Sequence, residues 1–331
     1  MLEEHSIGDT VVTEKKVRDI EVKMNHHLKQ FNRMFRVGST WGHQDRVAKA
    51  STSTNVPPPP AYGLRKDHKP VPEGQERVGP QVRRVVGANT APNSRFGHFL
   101  STIVNDHADF EENRSECRSS EEMRAAFDAF NRYDQNDRLR CKIISMDVRA
   151  LYPSMDWQDI VLAVREMIEN SMLSVQNVDW LEVGKYLSVM MTEEQIEEEG
   201  LKHVIPRRRG LRLRRITIRY LQQKKNNEKW MPARRPGARQ QKKMLALAVS
   251  LGVYTVMSNH TYKVGDKLYL QAGGGPIGLE LTGAVARPFM MRWDKLYLKK
   301  VKEAGLVLQL YERHIDDSNS NWSVAFWCQT A

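Results

Sequence analysis

Apolar positions spaced three and four apart open the chain. Val17, Ile20, Met24, Leu28, Phe31 and Phe35 form one stripe, which predicts a helix over 12–36 with that face packed on a core. The polar stretch 37–60 ends in Pro57-Pro58-Pro59-Pro60, which favours polyproline II and marks a boundary. AYGLRKDHKP (61–70) and a Gly/Pro-rich loop follow, then a β-type run with Val82, Val85 and Val86. Beyond Pro92, the stripe Phe96, Phe99, Leu100, Ile103 predicts a helix. CKIISMDV (141–148) is short, apolar and isoleucine-rich, a strand pattern. A helix is expected from Asp156 to about Met172, and a buried one over Met244–Met257. TYKVGDKLYLQ (261–271) reads as a hairpin turning at Gly265-Asp266. Thr282–Lys300 reads as a helix kinked at Pro288. Val307–Ile315 and Ser323–Trp327 read as paired strands with Asp316 and Asp317 at the turn, and there is no internal repeat.

Composition narrows the class. With 331 residues and 40% hydrophobic content, the chain can build a real core of two domains or one lobed fold. No uncharged apolar run reaches the roughly 18 residues of a membrane span. The acidic, polar start (MLEEHSIGDT) argues against a signal peptide. Three distant cysteines (Cys117, Cys141, Cys328) exclude a disulfide framework and a cysteine zinc finger, and fit a reducing compartment. The expected location is therefore intracellular, nucleus or cytoplasm. The net charge of +11 is uneven: residues 207–243 hold fifteen Lys/Arg and one acid, Glu228, so the remainder is slightly acidic. Apolar residues such as Leu211, Ile216 and Trp230 interleave with these charges. That favours a nucleic-acid surface over a solvated charge run.

Three carboxylates end predicted apolar strands: Asp147, Asp316 and Asp317. An ionised carboxylate there is costly unless it is paired or binds a cation. If the two strand systems are neighbours, Asp147 and Asp316 converge, and hard oxygen donors of this kind suit Mg²⁺. Taken alone, an Asp-Asp pair is also ordinary turn chemistry.

Four blocks, in order, resemble reverse transcriptases of retroelement type. SMDVRALYPSM (145–155) is similar to motif A, LQAGGGPIGLELTGAVAR (270–287) to the Gly-rich motif B, and HIDD (314–317) to the xxDD box of motif C. AYGLRKDHK (61–69) with VRRVVGANTAPNSRFGHFLS (82–101) resembles finger motifs, most closely those of Penelope-like elements. The fold implied is α/β, a right-hand polymerase with fingers and an antiparallel palm sheet backed by helices. The corresponding division is a helical extension and linker over 1–56, fingers over 57–130, and palm over 131–331 with a basic insertion at about 192–243. The chain stops fourteen residues after Asp317, so the expectation is fingers and palm without a thumb.

The resemblance implies an RNA-directed DNA polymerase that joins dNTPs to a primer 3′-hydroxyl with two Mg²⁺ ions, Mn²⁺ being a substitute. Asp147, Asp316 and Asp317, with the Val148 carbonyl, would be the metal ligands. Tyr152 would sit under the sugar and exclude a 2′-hydroxyl, against the alternative of a core aromatic. Lys66 and Arg83 would hold the triphosphate, with Lys69 and Arg84 as competitors. Gln271 and Gly274 would lie against the nucleotide. Arg207, Arg208, Arg209, Arg212, Arg214, Arg215 and Arg313 would face the RNA template, DNA primer or RNA–DNA duplex. Departures include His314 for the usual aromatic, Ile277 for a Gln, and Arg65 for a proline. An RNA-dependent RNA polymerase, which Tyr152 opposes, and a decayed RNA-binding remnant are the rival readings.

Overall fold

A computed structural model describes residues 9–35, 55–65, 82–88, 91–109, 116–117, 119–132, 141–148, 151–173, 178–206, 234–315 and 321–328. For 64–65, 82–84, 109, 130–131, 141–147, 307–310, 314–315 and 321–328 it describes the backbone alone.

Thr13 starts the first helix. Its hydroxyl accepts the Lys16 N–H at 3.3 Å, and α1 runs Glu14–Met34. All six predicted stripe residues, Val17 to Phe35, are buried. Phe31 meets the rings of Phe96, Phe99 and Tyr186 edge-on, at centroid distances of 5.0, 5.9 and 5.2 Å. That contact joins α1 to α2 (Ser94–Asp109) and to a helix at Trp180–Met190 that the sequence reading missed. Phe96, within the stretch assigned to fingers, and the N-terminal helix therefore share one core with the palm stretch.

The helix Ala238–Met257 is the centre of this core, buried without a break from Met244 to Ser250. At Gly252 an added Cβ would stand 3.1 Å from Phe31 and 3.2 Å from Phe96, so the missing side chain admits both rings. The helix Trp157–Asn170 packs alongside; Asp156 caps it by accepting the Gln158 and Asp159 N–H groups. The helix Glu280–Glu303 covers α2 and continues through the buried Pro288.

Strands form three small sheets. In the first, β1 (Thr10–Val12) pairs with β7 (Lys267–Leu270), itself the partner of β6 (Thr261–Val264) in the predicted hairpin. Thr10–Val12 thus contributes a strand just ahead of the predicted helix, where β-branched residues suit an edge. In the second, β2 (Ala61–Arg65) pairs with β3 (Val82–Val86). The third runs β4 (Glu116–Cys117), β8 (Val307–Ile315), β9 (Asn321–Cys328), β5 (Cys141–Asp147). The expected all-antiparallel sheet is instead mixed, because β4 lies parallel to β8. The long, largely helical connection between those two strands permits it, and Arg287 reaches the Glu116 carboxylate at 3.3 Å.

The stretch expected as a basic insertion, at about 192–243, opens on ordered structure. Thr192 and Gln195 form a capping box on a short helix, Glu193–Glu198, and Leu201, Val204 and Ile205 are buried. Burial of apolar side chains holds this stretch on the body. Residues 207–233 lie outside those described.

Phe31→Ala is expected to cost about 3–5 kcal/mol in urea unfolding, the scale for emptying a core aromatic. Two buried histidines set a pH dependence. Burial first, then Lys242, lowers the His107 ring to about 4. Burial, Lys23 and His26 do the same for His27, also to about 4. The unfolded chain binds these protons first, so stability is full above about pH 6.5 and declines as pH falls towards 4. Urea midpoints at neutral and acidic pH measure this, and His107→Leu should lose less between them than the parent.

Candidate active site

Past Leu270 the chain turns through four glycines, Gly273, Gly274, Gly275 and Gly278, and enters the helix at Glu280. Gly274 has φ +68°, and a Cβ there would collide with the Pro153 carbonyl oxygen and lie 2.8 Å from its carbon. Only glycine meets both demands. Pro153 belongs to the short helix Leu151–Ser154 that follows β5. Two hydrogen bonds fasten the contact: Gly275 N–H donates to the Tyr152 carbonyl at 2.7 Å, and the Trp157 indole N–H donates to the Gly274 carbonyl at 2.8 Å. On its other side, the loop meets β3. Val86 N–H donates to the Ile277 carbonyl at 3.1 Å, and a Cβ on Gly278 (φ +108°) would collide with the Val86 carbonyl oxygen. The loop thus joins the sequence blocks at 82–86, 151–157 and 270–282.

Asp147 is the last residue of β5, and its Cα pairs with Trp322. On the other side of β9, Trp322 pairs with His314. Residues 147 and 314 therefore share one register level, one strand apart, about 10 Å between Cα atoms at the usual strand spacing. Asp316 and Asp317 follow two and three residues after His314 and lie outside the described residues, as does the Asp147 side chain. Val148 and Tyr152 are half-buried on the rim of the core. Arg83 pairs by backbone with Leu64, and Arg84 with Gly63. Lys66, Lys69 and the arginines at 207–215 lie outside the described residues.

Two expected contacts are corrected. Arg313 is fully buried, with Nη2 2.8 Å from Asp294 Oδ2 and Nε donating to the same carboxylate. Tyr311 O–H donates to Asp294 at 2.6 Å. A guanidinium so enclosed and neutralised is not open to a phosphate; releasing it would strand Asp294 as a buried charge. Gln271 is also buried, and its Nε2 donates to the Gly273 and Gly274 carbonyls at 2.7 and 3.2 Å. It braces the loop from within rather than facing a nucleotide.

Trp157 and Asp294 were missed. Asp294 had a signal, an acid three residues after Met291 on the buried stripe of its helix. Trp157 had none, since its role depends on a carbonyl 117 residues away. Beside Arg313, Cys117 donates to the Glu312 carboxylate at 3.2 Å. Burial and Glu312 push the thiol up to about 12, so it is not a nucleophile. Burial raises the Glu312 carboxyl as well. Among the described residues no cluster of His, Cys, Asp or Glu forms a metal site.

Gly274→Ala should abolish the loop geometry and cost more than the roughly 1 kcal/mol expected from Trp157→Phe, which removes one hydrogen bond. Urea unfolding of both variants checks the order.

No family model matches the chain, and no curated protein matches it. In structure it is similar to telomerase from Candida albicans, solved in complex with the TWJ fragment of telomeric RNA. The TM-score is 0.38 at 12% identity, over 70% of this chain and 30% of the telomerase chain.

Proposed function

We propose that the chain is the fingers-and-palm portion of an RNA-directed DNA polymerase of retroelement type, nearest to Penelope-like elements. One observation carries this reading. The glycine loop ties the blocks at 82–86, 151–157 and 270–282 together, while Asp147 shares a register level with the strand that leads into Asp316-Asp317. Sequence blocks far apart in the chain, carried by different sheets, are thereby joined through one loop.

The donor set fits divalent magnesium. Asp147 closes its strand at the register level of the strand that runs on to two further carboxylates, with one strand between them, and hard oxygens suit that ion. Asp147, Asp316 and the Val148 carbonyl would hold it, with Asp317 as companion. When bound, a pair of such ions lowers the pKa of the primer hydroxyl and neutralises the pyrophosphate leaving group. Lys66 and Arg83 pair with the triphosphate through charge-assisted hydrogen bonds. At Gly273, where an added Cβ would meet nothing within 4 Å, the incoming nucleotide approaches backbone closely, beside Gly274. Tyr152 closes the space a ribose 2′-hydroxyl would need. The arginines of 207–215 hold the template or the duplex by its phosphates.

Primer extension on poly(rA)/oligo(dT) tests the reading. Asp316→Asn and Asp147→Asn should each lose at least about 100-fold, the scale of removing a group that acts on developing charge. Equal signal from parent and variants would remove the polymerase assignment. Tyr152→Ala should raise ribonucleotide incorporation while leaving dNTP use; no rise would refute the sugar-gate role and reopen the RNA-polymerase alternative.

A further inference from the structure

At the far end of the central helix from the glycine loop lies a cavity of 390 Å³. Its walls include Arg239, Lys242 and Lys243 from that helix, with Glu169 and Glu199 opposite. Tyr254, whose ring packs on Trp157 at 6.3 Å, is fifteen residues from Arg239. At 1.5 Å rise per residue, the two ends are about 22 Å apart. This is a separate place from the glycine loop, and the inference stands whether or not the chain polymerises.

The carboxylates at the cavity are already used. Arg165 grips Glu199 with both terminal nitrogens at 2.7 and 2.6 Å, and donates Nε to Glu169 at 2.9 Å. Lys243 reaches Glu199 at 2.8 Å. Burial opposes ionisation of Glu199, but Arg165 and Lys243 hold its carboxyl below the usual range. Those charges therefore balance one another. Arg239 and Lys242 are the surplus. Lys242 donates to the neutral Ser171 carbonyl at 2.6 Å, and among the described residues neither cation has a carboxylate partner. The Lys242 charge is felt inside the protein, since after burial it adds to the lowering of the His107 pKa. A rigid wall of paired ions with two unneutralised cations is built to receive an anion with several oxygen acceptors.

Charge in the sequence selects the source of that anion. The chain departs for the basic segment at Pro206 and returns at Arg234, each five residues from a lining residue, Leu201 or Arg239. Arg234 N–H donates to the His203 carbonyl at 3.2 Å, closing that excursion at its base. Both described flanks of the basic segment thus lie close in sequence to the cavity lining, which favours a polyanion over a small free anion. We propose that the cavity is a phosphate-binding site that takes a phosphodiester of a single RNA strand, with Arg239 and Lys242 as its charged contacts.

The test uses the full chain and a short fluorescent oligo(rU), with affinity followed across salt by anisotropy. Each lost phosphate contact on a single strand flattens the slope of log K against log[salt] by roughly 0.7. The double variant Arg239→Gln/Lys242→Gln should flatten it by about 1.4 and weaken binding by about tenfold or more at low salt. Arg239→Gln alone, at an exposed position, should give half the slope change and covers the case in which Lys242→Gln disturbs folding. The control Lys299→Gln/Lys300→Gln removes equal charge from another helix and should leave the slope unchanged. Equal losses in test and control variants, or none in either, overturn the site. Millimolar inorganic phosphate at constant ionic strength separates the sources. If it binds through Arg239 and Lys242 while strand binding ignores both, the RNA strand is wrong as the ligand.

Discussion

Two missing side chains govern how the parts of this protein meet. At Gly274 and Gly278 the backbone takes a left-handed φ and lies against a carbonyl oxygen, of Pro153 in one case and Val86 in the other. Any Cβ would separate the loop from both neighbours. The hydrogen bonds from Gly275, Trp157, Gln271 and Val86 exist because that approach is possible. The candidate site is thus an arrangement of backbone first, with side chains placed around it.

Rigidity comes from behind. The helix Ala238–Met257 is packed on nearly every side, and Gly252 lets aromatic rings from two other helices close on it. Its C-terminal turns support the glycine loop through the Trp157–Tyr254 contact. Asn93 adds a polar link, donating to the Val256 carbonyl and bonding the His260 ring. One element therefore positions the loop at one end and gathers cations at the other.

Helices were legible because their apolar patterns are long: Val17 to Phe35 announces itself by spacing, and Met244 to Met257 by a nearly unbroken apolar run. The hairpin at 261–271 was legible from its Gly-Asp turn. Pairwise partners were not. Arg313 looked like a surface cation because the carboxylate that buries it lies on another element, and only tertiary packing brings Asp294 to it. Gln271 sat in a block where a polar residue suggested ligand contact, yet its amide donates to carbonyls of its own loop. The parallel pairing of β4 had no local signal either, since a two-residue strand carries no periodicity.

The loop is also wired to the beginning of the chain. Asp9 accepts hydrogen bonds from the Tyr262 hydroxyl and from the Ala272 N–H, and the strand that follows it zips onto the hairpin. A pull or a load applied ahead of residue 9 is thus transmitted through one carboxylate to the threshold of the four glycines. Asp9 thereby couples the edge strand, the hairpin and the entry to the glycine loop into one unit.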